Sequence, residues 1–279
     1  MKHILSLILA VLCILAAGQA SAHLDVRLHP IRDNYLLGES ITVKLSITNH
    51  SDEVVVLDNA PDHPWLHFTV MRSGNSQPMP PKMVPVFQKI HINPGSKHET
   101  TINLRPYFYF SHVGSFKVIA SVRMPDMRST FSSNRATFTV SNGGSVKTFA
   151  TQKNGQRLKL HVKMMRTGDK DSLFGQVENA DSGVVIGACQ LGLYLNFMAP
   201  RVLIDKKQNL HVLCQSTTQY FTYAVMAPDG TRSHYKVMSR TGGPVDLITT
   251  GNGIKAIGLT PAKRPGKDPA DNYHTTSDR

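Results

Sequence analysis

The chain has 279 residues, 41% of them hydrophobic, and 31 Lys and Arg stand against 19 Asp and Glu for a formal net charge of +12. That length allows one large or two ordinary domains with a sizeable core. The basic balance suits anionic surfaces such as acidic polysaccharide. Nucleic acid is disfavoured, because no Arg/Lys run is interleaved with aromatic residues.

The first 22 residues read as a signal peptide. Lys2 supplies the positive start, an apolar run covers 4–17, and Ala20-Ser21-Ala22 is a small-x-small cleavage site. The expected mature chain begins at His23 and is exported, to the periplasm, the cell surface or the medium. No second apolar run approaches the roughly 18 residues of a transmembrane anchor. Cys13 leaves with the leader. Cys189 and Cys214 remain, and in an oxidising compartment they either pair or stay as buried thiols.

In chain order the pattern is short apolar runs broken by turn residues, an all-β signature. Residues 24–28 form the first run. Ile41, Val43, Leu45 and Ile47 then alternate with Thr42, Lys44, Ser46 and Thr48, which places the aliphatics on one core face. Further strands are expected at 54–57, 65–71, 84–92, 100–104, 116–122 and 136–140. About eight strands in this span suit a sandwich.

Three segments carry a family resemblance: Tyr35-Leu36-Leu37-Gly38-Glu39-Ser40-Ile41-Thr42-Val43, then Asn93-Pro94-Gly95-Ser96, then Tyr109 with Gly114-Ser115-Phe116-Lys117-Val118. Residues 24–141 resemble the immunoglobulin-like β-sandwich domains of bacterial exported and surface proteins. The resemblance implies a fold and leaves function open. Asn142-Gly143-Gly144-Ser145 then reads as a linker between a domain at 23–141 and a second all-β segment at 146–260.

That second segment repeats itself. Pro200-Arg201-Val202-Leu203-Ile204 with Leu210-His211-Val212-Leu213 returns 44 residues later as Pro244-Val245-Asp246-Leu247-Ile248 with Ile254-Lys255-Ala256-Ile257. Each half predicts a hairpin, and a third hairpin is expected around Pro228-Asp229-Gly230. The wording resembles β-propeller blades of bacterial exported proteins. Residues 146–260 hold at most two and a half such blades, whereas closed propellers need about four. An open stack, closure by self-association and a second sandwich all stay open. The tail, 261–279, reads as disordered.

Common catalytic strings are missing, and no catalytic or cofactor-binding residue is assigned. Asp169, Asp171, Asp205 and Asp229 fall at expected turns. His23 is the one metal candidate. As a new N-terminus it would offer Cu(II) an amine and a ring nitrogen, and a second imidazole would complete the set. Its partner is open among His63, His67, His91, His98 and His112. Trp65 and Tyr107-Phe108-Tyr109-Phe110 serve either as core or as a sugar platform, two of the last four pointing inward. His211, between Leu210 and Val212, is expected to face solvent.

The expectation is an exported, non-enzymatic binding or structural module of the cell envelope, without a cofactor, engaging a protein or glycan that is anionic in character. The alternative is a copper-binding or copper-redox protein using His23. A propeller-type glycan-active enzyme ranks third.

Overall fold

The computed structural model describes residues 23–60, 63–75, 77–125, 129–251 and 253–262. The expected signal peptide and the tail from residue 263 lie outside them. Strands follow in this order: β1 (Leu24–Pro30), β2 (Asn34–Leu36), β3 (Thr42–Asn49), β4 (Val55–Leu57), β5 (Leu66–Arg72), β6 (Ile90–Ile92) and β7 (Lys97–Asn103). Next come β8 (Gly114–Arg123), β9 (Thr130–Ser132), β10 (Ala136–Ser141), β11 (Gly144–Lys153), β12 (Gln156–Thr167), β13 (Lys170–Asn179) and β14 (Val185–Leu193). The series closes with β15 (Arg201–Ile204), β16 (Leu210–Gln215), β17 (Tyr220–Met226), β18 (Arg232–Arg240), β19 (Asp246–Thr250), β20 (Gly253–Ile257) and β21 (Leu259–Pro261). The fold is all-β, with small sheets in a propeller-like arrangement. No helix among the described residues is long and apolar enough to cross a membrane.

In the first half a three-stranded sheet, β1-β3-β7, and a sheet ordered β2-β10-β8-β5, with β9 on β8, enclose one core. Leu28, Leu45 and Ile47 meet Phe68, Val118 and Phe138 there. The period-two pattern of β3 is the reason: apolar side chains share a face, and each fully buried one stabilises the fold by about 1.5–3 kcal/mol. Tyr35 donates its hydroxyl proton to the Thr42 carbonyl at 2.7 Å, and burial pushes the phenol up to about 12.

One expected strand is mostly absent. Of residues 84–92 only Ile90–Ile92 is extended in a sheet, and Met83, Val84 and Val86 are exposed. Pro80, Pro81 and Pro85 remove ladder donors and fix their own φ, so the segment crosses the surface as a loop.

In the second half β11-β12-β13-β14 is a four-stranded antiparallel meander and β15-β16-β17-β18 is another, with β21 returning to β18. Hairpin β19-β20 forms a third layer. Leu160, Val162, Leu173 and Leu191 of the first meander pack with Val212, Ala224 and Met226 of the second. On the far face Leu213, Phe221 and Met238 pack with Leu247 and Ala256 of the hairpin. The repeat is therefore real in space: its two copies are the hairpins β15-β16 and β19-β20. The second copy stays a hairpin because the chain after it pairs back with β18.

Two boundaries differ from expectation. Gly144 and Ser145 already belong to β11, so the four-residue linker shrinks to Asn142-Gly143. Gly143 has φ +61, and a Cβ there would stand 3.0 Å from both Leu36 and the Met164 carbonyl. Pro261 and Ala262 are likewise ordered, by β21 and by a bond from the Ala262 amide to the Val237 carbonyl.

The two meanders meet backbone to backbone where Gly187 of β14 touches the β17–β18 turn. A Cβ on Gly187 would lie 2.3 Å from the Asp229 carbonyl oxygen, so the approach requires glycine. Gly187→Ala should destabilise the protein by about 1–3 kcal/mol through overpacking, read as a lower urea midpoint. Gly243→Ala, where nothing lies within 4 Å, should change it by less than about 0.5 kcal/mol.

Candidate functional site

The site begins with a turn. Between β2 and β3, the Glu39 amide donates to the Leu36 carbonyl at 2.9 Å, and the Leu36 amide donates to Glu39 Oε2 at 3.0 Å. Gly38 has φ +90, which favours glycine, and a Cβ there would stand 2.3 Å from Val185 Cγ1. The turn thus lies flat on β14. Gly38 accepts a bond from the Ala188 amide at 3.0 Å, and Leu37 accepts one from the buried Gln176 side chain at 2.8 Å. These bonds join the two halves of the chain.

Beneath the turn sits an ion pair between Arg32 and Glu39, with side chains 8% and 9% exposed. The Arg32 guanidinium lies 4.7 Å from the Tyr35 ring centre and 5.8 Å from that of Phe174. Phe174 packs with Leu36, Met165 and Ala188 in a small core shared by both halves. Burial pushes the Glu39 carboxyl above its ordinary range, against the opposing pull of Arg32.

Beside this junction opens a cleft of about 170 Å³. Lys82, Arg105, Tyr109 and Ser111 line it from the first half, and Val184 and Val185 from the second. The turn around Pro106 aims the cationic wall, because the Arg105 amide donates to Asn103 Oδ1 at 3.1 Å and the Tyr107 amide to the Leu104 carbonyl at 3.1 Å. Arg105 Nη2 reaches across to the Ile186 carbonyl at 2.5 Å. Lys82 Nζ donates to the Arg105 carbonyl at 3.3 Å and lies 4.7 Å from the Tyr109 ring centre. Burial lowers both cations below their ordinary values, and Arg105 lowers Lys82 further. The described lining carries two cations and no carboxylate. Such a wall attracts an anionic group.

The aromatic cluster divides between the two roles read from the sequence. Trp65, Phe108 and Phe110 are buried in the core, with Trp65 Nε1 donating to the Gln88 carbonyl at 3.2 Å. Tyr109 is exposed at the cleft. Tyr107–Phe110 is a loop after a turn rather than a strand, yet its faces still alternate.

His211 does not face solvent. Hairpin β19-β20 packs on that side of its sheet and leaves the residue 8% exposed. Its Nδ1 is 2.7 Å from the Tyr223 hydroxyl, and its Nε2 is 3.1 Å from Asp205 Oδ2. Asp205 Oδ1 meanwhile accepts from the amides of Lys207 and Asn209 at 2.8 and 2.9 Å, the expected turn duty. Asp229 likewise accepts from the Thr231 amide at 2.8 Å.

Cys189 and Cys214 stand as free thiols rather than a bridge, and burial pushes both up to about 12. His23 is exposed just before β1, and the imidazole beside it belongs to His50, with ring centres 5.8 Å apart. His63, His67, His91 and His112 are exposed elsewhere, and His98 is half-buried in β7. Among the described residues no group of three or more His, Cys, Asp and Glu could hold a metal ion.

Lys82, Arg105, His50 and the Arg32–Glu39 pair carry no site motif in the sequence. Pro81 and Pro106, neighbours of the two cleft cations, were the available signal that these chain segments are held in place. A scan against protein-family models matches no family, and a search of the curated proteins finds no match.

Arg32→Ala leaves a buried carboxylate without its cation, at a cost of about 3–5 kcal/mol at neutral pH. Loss of Arg32 raises the Glu39 carboxyl further in the folded state. The deficit should therefore be smaller below the ordinary glutamate range, where the carboxyl is neutral in both states. It should grow as pH rises through the elevated folded value. Urea midpoints of both proteins across pH 4 to 8 measure the divergence.

Proposed function

We propose that this protein is an exported binding module of the cell envelope that takes an anionic sugar unit in the cleft between its halves. The observation that carries the reading is the cationic wall of Lys82 and Arg105 beside the exposed Tyr109 ring, facing Val184 and Val185. A carboxylate pairs with the two cations, and an apolar sugar face lies on the tyrosine. The cleft is smaller than the roughly 300–1,000 Å³ of drug-sized pockets, which fits one terminal or protruding unit of a longer chain. Export follows from the leader at 1–22.

On this reading residues 24–141 are an immunoglobulin-like sandwich, supported by two sheets over one core. The remainder is an open stack of blade-like sheets. Neither half owns the ligand: the first supplies charge and the second supplies the apolar wall.

Titration with galacturonate oligomers and their neutral galactose counterparts, at low and physiological salt, tests the proposal. The acidic oligomer should bind at least about tenfold more tightly, and the preference should shrink with salt. Lys82→Met should weaken it about tenfold, and Tyr109→Ala should weaken both sugars. Equal affinity for the neutral oligomer, or an unchanged Lys82→Met protein, would overturn the assignment.

A further inference from the structure

Two histidines stand side by side where β1 begins and β3 ends. The last pair of their ladder is Leu24 with Asn49, and one step beyond it His23 and His50 stand opposite each other. The His50 amide donates to the His23 carbonyl at 2.8 Å. Leu24 and Asn49 are buried, so strand alternation turns both histidines outward on one face, and both are exposed. Their ring centres are 5.8 Å apart. Two imidazoles on one ion, with metal–nitrogen bonds of about 2.0–2.1 Å, hold their centres roughly 4.5–6 Å apart. The centre-to-centre distance falls within that range.

His50 is held in place by its neighbour. Asn49 is fully buried, and its Nδ2 donates to the Glu53 and Ile92 carbonyls at 2.7 and 3.0 Å. Its Oδ1 accepts from the Ser51 amide and hydroxyl at 3.0 and 2.6 Å. Its backbone amide donates to Ser96 at 3.0 Å, and its carbonyl accepts from Gly95 at 2.9 Å. Every polar group of Asn49 is engaged, so the turn presenting His50 is set before any ligand arrives.

Two imidazoles hold a divalent ion weakly, and the described side chains add no third donor. The chain itself can add one. Cleavage after Ala22 converts the His23 amide into an α-amine, which chelates the same ion as its own ring. We propose that His23 and His50 form a maturation-dependent Cu(II) site of three nitrogens: the α-amine and one ring nitrogen of His23, and one ring nitrogen of His50. Cu(II) is the ion such a nitrogen set holds most tightly among the first-row divalent metals. In the precursor the first nitrogen is an amide and the set is incomplete, so binding begins with export. The inference rests on the export reading above and is independent of the cleft.

The full chain, expressed with its own leader in a bacterial host, is recovered from the periplasm and its first residue read by mass spectrometry. It is then titrated with Cu(II) against a competing chelator. The expected result is a chain starting at His23, one Cu(II) per chain, and a paramagnetic resonance spectrum showing three nitrogens. His50→Ala should lower the affinity at least about a hundredfold, since even outer-shell changes cost about 10–100-fold. His112→Ala should bind as the parent does. Absence of the chain from the periplasm would overturn the export reading and the site together, and a retained leader would overturn the site. A chain that starts at His23 but holds no copper, or holds it equally well as His50→Ala, would overturn the site alone. Cleavage at another residue does the same.

Discussion

The four residues from Leu36 to Glu39 form the contact on which the two halves of this molecule depend. Gly38 brings its backbone onto β14, where the Ala188 amide meets its carbonyl at 3.0 Å and Val185 leaves no room for a side chain. Glu39 turns under the same bend to Arg32, in a pair almost closed to water. Buried charges carry a desolvation cost that their mutual attraction roughly offsets, so the pair adds little net stability. The pair lies within the first half and reaches the second through the Arg32 guanidinium beside the Phe174 ring.

The arrangement of the two halves generates the cleft. Arg105 reaches from the first half to the Ile186 carbonyl in the second, and Val184 and Val185 reach back as the opposite wall. Gly187, one residue before Ala188, receives the turn of the second meander. Strand β14 therefore touches three parts of the fold within four residues. Substitutions along it act on packing and on the cleft together.

Residues that face water on one side were legible in the sequence. Ile41 to Ile47 alternate because β3 has one wet face, and the blade-like hairpins announce themselves through Pro228-Asp229-Gly230 and the repeat. β13 was not legible, because Ser172 to Val177 are all buried, one face against the second meander and the other against the Leu36 turn. A strand covered on both sides loses its period. β2 is too short to show one. The cleft cations lie 23 residues apart and meet through a proline-held loop, which no local pattern encodes. His50 reads as a turn residue, and only the register of β1 on β3 places it opposite His23.

If the Leu36–Glu39 turn locks the halves together, they unfold as one cooperative body. Differential scanning calorimetry tests it most directly, by comparing the calorimetric enthalpy of unfolding with the van't Hoff value. One transition in which the two agree is expected. Two resolved transitions, or a van't Hoff enthalpy well below the calorimetric one, would show that the halves unfold separately and would contradict it.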